Sequence, residues 1–303
     1  MKLAVLPLAI ALLGGPAVAA DDLETTFQSL KDAVGAKNAA DVKKLALETH
    51  TLAYDVLCKP QPEAADEKEA WKSNNDYAKA ADLYTEFALY SMAVQSPAAT
   101  MIDLIATLEQ QNPKSKYLAE AYGPYFLALN QTGAGAKIPG IAEKALPNQP
   151  ENEDLLAYLA DYAYSHKQSD RAQAYANRLI GVLNKHSKPE ALSAADWERK
   201  KTAALARGYW ISGVISGEKS QYAAADKSLR AALPLIKGND ALLGPALFYL
   251  GFANYNLGKM TLNKAKVLEG QKFSEQCAAI PSGYAVQARH NANVARDDAQ
   301  KMR

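Results

Sequence analysis

An internal offset of 34 residues constrains this chain more than any other feature. Laid under Leu118–Glu151, the segment Asn152–Lys185 repeats the same slots: Tyr122 with Leu156, Tyr125 with Leu159, Ala142 with Ala176, and Ala145 with Leu179, while Pro150 closes the first copy. A fixed period of roughly 20–50 residues marks an array of supersecondary units, each too small to bury its apolar face alone. The apolar residues within each copy recur at helical spacing, so the unit reads as two helices and a short turn.

The same spacing runs along the whole chain, and almost nothing reads as a strand. Residues 22–34 and 41–57 carry Leu23, Phe27, Leu30 and Val34, then Val42, Leu45, Leu52 and Val56, with Gly35 as punctuation between two helices. Lys59-Pro60-Gln61-Pro62 breaks the pattern, and the acidic run 63–69 reads as a loop leading into a solvated helix start, where carboxylates favour the positive end of the helix dipole. A long helix is expected over 70–95. Its partner opens at Pro97, a first-turn position that proline tolerates, and stops at Asn112-Pro113. Helices follow over 115–131, 137–146, 152–166 and 170–186. Ser193 with Asp196 forms a capping-box start for a helix to about Ile215, and the remainder reads as 221–236, 242–257, 261–279 and 284–300.

Composition excludes several classes. The first twenty residues combine Lys2, an apolar run from Leu3 to Leu13, a Gly14-Gly15-Pro16 break and Ala17-Val18-Ala19, the layout of a cleavable secretory leader. The run is too short for a membrane span, which needs about 20 apolar residues. Loss of the leader removes Lys2 and leaves 33 basic residues against 33 acidic ones, without the basic excess of a nucleic-acid binder. Cys58 and Cys277 are too few for a disulfide framework, and buried free thiols are the expectation. The four histidines are scattered and none has a two-histidine metal spacing, so no metal or cofactor is expected. Asp154 and Asp161 lie seven apart and would share a helix face, about 10 Å apart along the axis. That separation could serve inverting glycosidase chemistry, but solvated carboxylates are the plainer reading. No nucleophile elbow, phosphate loop or Cys-His constellation is present. Asn130-Gln131-Thr132 matches a glycosylation acceptor pattern.

Small and aromatic residues recur at matching places in three further segments. Arg207–Asn239 supplies Tyr209, Gly213, Tyr222, Ala225, Leu229 and Ala232; Pro245–Cys277 supplies Leu247, Leu250-Gly251, Tyr255 and Gly258; Asp82–Pro113 supplies Tyr84, Phe87-Ala88 and Leu104. These segments, spanning roughly 81–277, resemble tetratricopeptide repeats, in which small residues mark close approach of two helix backbones. The pattern departs at Phe126, which fills a glycine slot, at Asn263, which fills a small-residue slot, and at the insertion around Ser187–Thr202.

The resemblance implies an all-α, right-handed solenoid of helical hairpins. The expected organisation is a leader at 1–20, an N-terminal hairpin and acidic loop at 21–69, repeats at 70–280 and a capping helix at 281–303. It also implies a concave groove lined by the first helix of each repeat. The groove positions are Asn130, Gln131, Asp154, Asp161, Tyr164, Arg207, Trp210, Glu218, Phe248, Phe252, Tyr255 and Asn256. Aromatics beside an arginine are typical binding anchors, although each aromatic could equally be core between repeats. The lysine that clamps a C-terminal carboxylate in some members has no counterpart, its slots holding Thr85, Gly123, Ala157, Trp210 and Phe248. The expected function is therefore a non-enzymatic, exported scaffold, periplasmic or secreted, that binds a protein or peptide segment. The alternative is a binding protein for a glycan or cell-wall fragment, stacking on Trp210, Phe248 and Tyr255.

Overall fold

The computed structural model describes residues 16–189 and 192–302, with side chains from Asp22 onward. The charged start and apolar run of the expected leader lie outside the described residues. Those described are all-helical, with thirteen α-helices, two 3-10 turns and no strand. No described helix is long and apolar enough to cross a membrane.

The chain divides into two compact units, Met1–Ile138 and Pro139–Arg303. The first holds α1 (Pro16–Gly35), α2 (Ala39–Leu57), α3 (Ala65–Val94), α4 (Ala98–Gln111) and α5 (Leu118–Gln131). The second holds α6 (Ile138–Ala145), α7 (Glu153–Ser165), α8 (Ser169–Leu183), α9 (Ala194–Glu218), α10 (Tyr222–Ala232), α11 (Asp240–Met260), α12 (Lys264–Ala278) and α13 (Ala285–Lys301). The position 69/70, where the sequence suggests a boundary, falls inside α3. That helix starts earlier than its apolar pattern because Asp66 and Glu67 in its first turn favour the dipole there. Pro97 caps α4 from one residue outside the helix.

The repeat slots are the core. Tyr122, Tyr125, Ala142, Ala145, Leu156, Leu159, Ala176 and Leu179 are all buried. Within the first unit Leu23, Leu30, Val42, Leu89, Leu104 and Leu108 are buried as well. Burial pushes the Tyr125 hydroxyl up to about 12, helped by the Glu109 charge, and raises Tyr122 further, where burial adds to a hydrogen bond with Glu109. In the second unit, each of α7, α9 and α11 packs against the helix that follows it and against the next helix but one.

Four of the hairpin turns share one construction. Lys37, Lys167, Ser220 and Leu262 sit in the left-handed region, with φ of 55°, 57°, 57° and 51°. In each case the next residue's N–H reaches back five positions: Asn38 to Ala33 O at 3.1 Å, Gln168 to Ala163 O at 2.9 Å, Gln221 to Ser216 O and Asn263 to Gly258 O at 2.8 Å. This Schellman closure satisfies the last carbonyls of the first helix. Asn38 and Asn263 then cap the following helix, their side-chain oxygens accepting from the Asp41 and Lys266 amides.

Glycines set the closest helix pairs. A methyl on Gly213 of α9 would stand 3.1 Å from the Leu229 amide nitrogen of α10. One on Gly258 of α11 would stand 2.7 Å from the Val267 nitrogen of α12. Cys277 is buried and free, as expected, but free Cys58 is exposed, because it caps the C-terminus of α2 outside the core.

Candidate functional site

The richest convergence of polar and aromatic side chains in the second unit lies between α7, α9 and α11. Asp154 and Asp161 do share a face of α7, and two cations seven residues apart on α9 meet them. Lys200 Nζ bridges Asp154 Oδ2 at 2.8 Å and Glu153 Oε1 at 3.0 Å, and Arg207 Nε pairs with Asp161 Oδ1. Burial alone would lower the Lys200 pKa, but Asp154 and Glu153 outweigh it and hold the ammonium above its usual range. The two carboxylates flagged by spacing are thus engaged with cations as a register lock between helices.

Arg207 is held from three sides. Its guanidinium lies 4.8 Å from the Trp210 ring centroid and 5.6 Å from that of Tyr164, while Asp161 takes its Nε edge. The two rings meet edge to face at 5.2 Å. Cation–π packing of this kind orients a planar guanidinium and leaves the donors of its other edge available. Among the described residues no side chain takes a hydrogen bond from the Arg207 Nη groups, and the side chain is 30% exposed.

Trp210 is 4% exposed and donates Nε1–H to Leu242 O at 2.7 Å, so it belongs to the core beneath the site. Burial first, then the Glu218 charge and Tyr284, raise the Tyr164 hydroxyl, with Arg207 opposing. Burial first, then the Glu218 charge, Tyr284 and Tyr164, raise the Tyr249 hydroxyl as well. Tyr249 and Tyr284 belong to the neighbouring core around Phe248, and exposed Glu218 acts on Tyr164 and Tyr249 through its charge.

The remaining expected positions do not join this cluster. Phe248 is 8% exposed and packs against Tyr284 at 4.9 Å and Tyr249 at 5.2 Å, in the core shared with Cys277 and Ala288. Phe252 meets Tyr222 of α10 edge to face at 5.6 Å. Tyr255 donates its hydroxyl to Asp298 Oδ2 of α13 at 2.8 Å, and Asn256 donates to Phe252 O on its own helix. Asn130 is exposed on α5 in the first unit, and Gln131 is exposed beside it. Spacings of four and three put residues 248, 252 and 255 on one face of α11, but the partners they meet there are Tyr284, Tyr222 of α10 and Asp298 of α13 rather than Arg207.

Sequence spacing missed Lys200, Tyr249 and Tyr284, whose relation to the site depends on contacts between residues tens of positions apart. It also missed a polar hub between α10, α11 and α12. Asn254, fully buried, donates to Asp226 Oδ1 at 2.6 Å and accepts from Arg230 Nη2 at 3.1 Å; Arg230 further pairs with Glu269 at 2.7 Å. No cluster of three or more His, Cys, Asp or Glu among the described residues is arranged to hold a metal ion. The chain matches no protein-family model, no curated protein and no solved structure.

Proposed function

We propose that this chain is a non-catalytic protein-interaction scaffold: a right-handed stack of tetratricopeptide-like hairpins, exported to the periplasm or secreted, that holds an extended partner segment against the first-helix face of its second unit. Three features support the repeat reading. Four hairpin turns share one backbone construction, glycines occupy the slots of closest helix approach, and α7, α9 and α11 each pack on the next helix but one. The observation that carries the binding reading is Arg207, clamped by Asp161, Tyr164 and Trp210 with its Nη edge unengaged. A preorganised arginine flanked by aromatics is the kind of group that anchors a partner. The glycan reading is weaker, because Trp210 and Phe248 offer no free ring face and the Tyr255 hydroxyl is occupied.

The test is photo-crosslinking in native envelope extract, with a photoreactive amino acid in place of Tyr164 and, as control, in place of exposed Lys227. A partner that crosslinks at 164, not at 227, and is lost in a folded Arg207→Met variant supports the proposal. Equal labelling at both positions, or retention by Arg207→Met, overturns it.

A further inference from the structure

The first unit contains a cleft that the protein-binding reading does not use. It lies where α2 ends, the Lys59–Pro62 loop turns and α3 begins, and its volume is about 400 Å³. That is within the usual range for small-ligand sites, about 300–1,000 Å³. The loop is pinned over it: Trp71 donates Nε1–H to Lys59 O at 3.1 Å, and Asn75 donates to Trp71 O at 3.1 Å. Because the indole N–H is already satisfied, the ring serves the cleft as an apolar wall, with Val56, Pro60 and Pro62 around it.

Three polar residues line the same cleft, Glu67 from an exposed position at its edge. Lys59 and Glu67 both line it, and neither has an ion-pair partner among the described residues. Asn75, 6% exposed, lines it too; its amide nitrogen is used by Trp71 O, while its oxygen accepts no hydrogen bond from another described side chain or amide. An unpaired cation, an unpaired anion and a free acceptor around one apolar interior are complementary to a molecule that carries all three opposites. We propose that this cleft binds a free amino acid with a large apolar side chain. Its carboxylate would meet Lys59, its ammonium would meet Glu67 and Asn75 Oδ1, and its side chain would lie against Trp71 and the prolines. Charge-assisted hydrogen bonds give such a site its discrimination, because a ligand lacking one charge leaves its partner in the cleft uncompensated.

The experiment uses the full chain, titrated with L-phenylalanine, 2-phenylethylamine, which lacks the carboxylate, and 3-phenylpropionate, which lacks the ammonium. Binding is read by calorimetry and by the indole N–H resonance of Trp71, assigned with a Trp71→Phe variant. L-Phenylalanine is expected to bind and shift that resonance, and each analogue to bind about tenfold more weakly or worse. Lys59→Met should erase the preference over 2-phenylethylamine, and Glu67→Gln the preference over 3-phenylpropionate, in proteins whose circular dichroism is unchanged. Absence of binding at the solubility limit of L-phenylalanine overturns the proposal. So does equal binding of all three compounds, which would mark the cleft as merely apolar, or preferences that survive both substitutions.

Discussion

An added methyl at Gly270 would stand 2.6 Å from the Tyr255 amide nitrogen and 2.8 Å from Gly251 O, both backbone atoms that cannot rotate away. Gly270→Ala is therefore expected to force α11 and α12 apart and to lower stability by about 1–3 kcal/mol in chemical denaturation. Gly181, in α8, has nothing within 4 Å of that position. Gly181→Ala should raise stability by about 0.5–1 kcal/mol, and a loss there would contradict the packing described for α8. His50 makes a different prediction. Its Nδ1 lies 2.6 Å from Asp82 Oδ1, and that hydrogen bond, against some desolvation, raises its pKa above the ordinary value. A raised folded pKa means the pair stabilises fully below about pH 6.5 and that this contribution is lost as pH rises through the folded value. The difference in stability between the protein and His50→Asn should accordingly shrink on going from pH 6 towards pH 9, and a difference that grows instead would exclude the pairing.

Helices were legible in the sequence because the apolar period of each survives intact, and the eight repeat slots read from the 34-residue offset are all buried. The places of the turns were legible but not their closure: four left-handed positions hold Lys37, Lys167, Ser220 and Leu262 rather than glycine, so composition did not mark them as it marked Gly133. Each such residue stores strain that glycine would not. Lys167→Gly and Leu262→Gly are expected to stabilise their hairpins by about 1 kcal/mol each, read as higher denaturation midpoints with unchanged slope. Of the candidate site, Asp161, Tyr164, Arg207 and Trp210 were singled out only as groove slots implied by the repeat resemblance, and the structure brings these four into mutual contact. Phe252, Tyr255 and Asn256 went elsewhere because a helix register cannot say which neighbour a side chain will meet. The buried Asn254 hub shows the same limit, since nothing local distinguishes it from the half-exposed Asn256 two residues on. Asn254→Leu should cost about 1–3 kcal/mol by leaving Asp226 and Arg230 short of a partner.

At the scale of the molecule, two compact units imply two cooperative blocks. Leu89→Ala, at a fully buried position of the first unit, should cost about 2–5 kcal/mol there. Hydrogen exchange should then quicken across residues 22–138 while the amides of α9 and α11 keep their protection; uniform quickening would show one block. The chain also carries a built-in indicator of its own collapse in alkali. Of its 16 tyrosines, Tyr122, Tyr125 and Tyr249 are held protonated by burial well past the ordinary phenol range, and burial with Glu120 pushes Tyr90 up to about 12. An alkaline ramp followed by phenolate absorbance should therefore rise in two stages, a gradual colour change from the accessible rings and then an abrupt one when the interior opens to hydroxide.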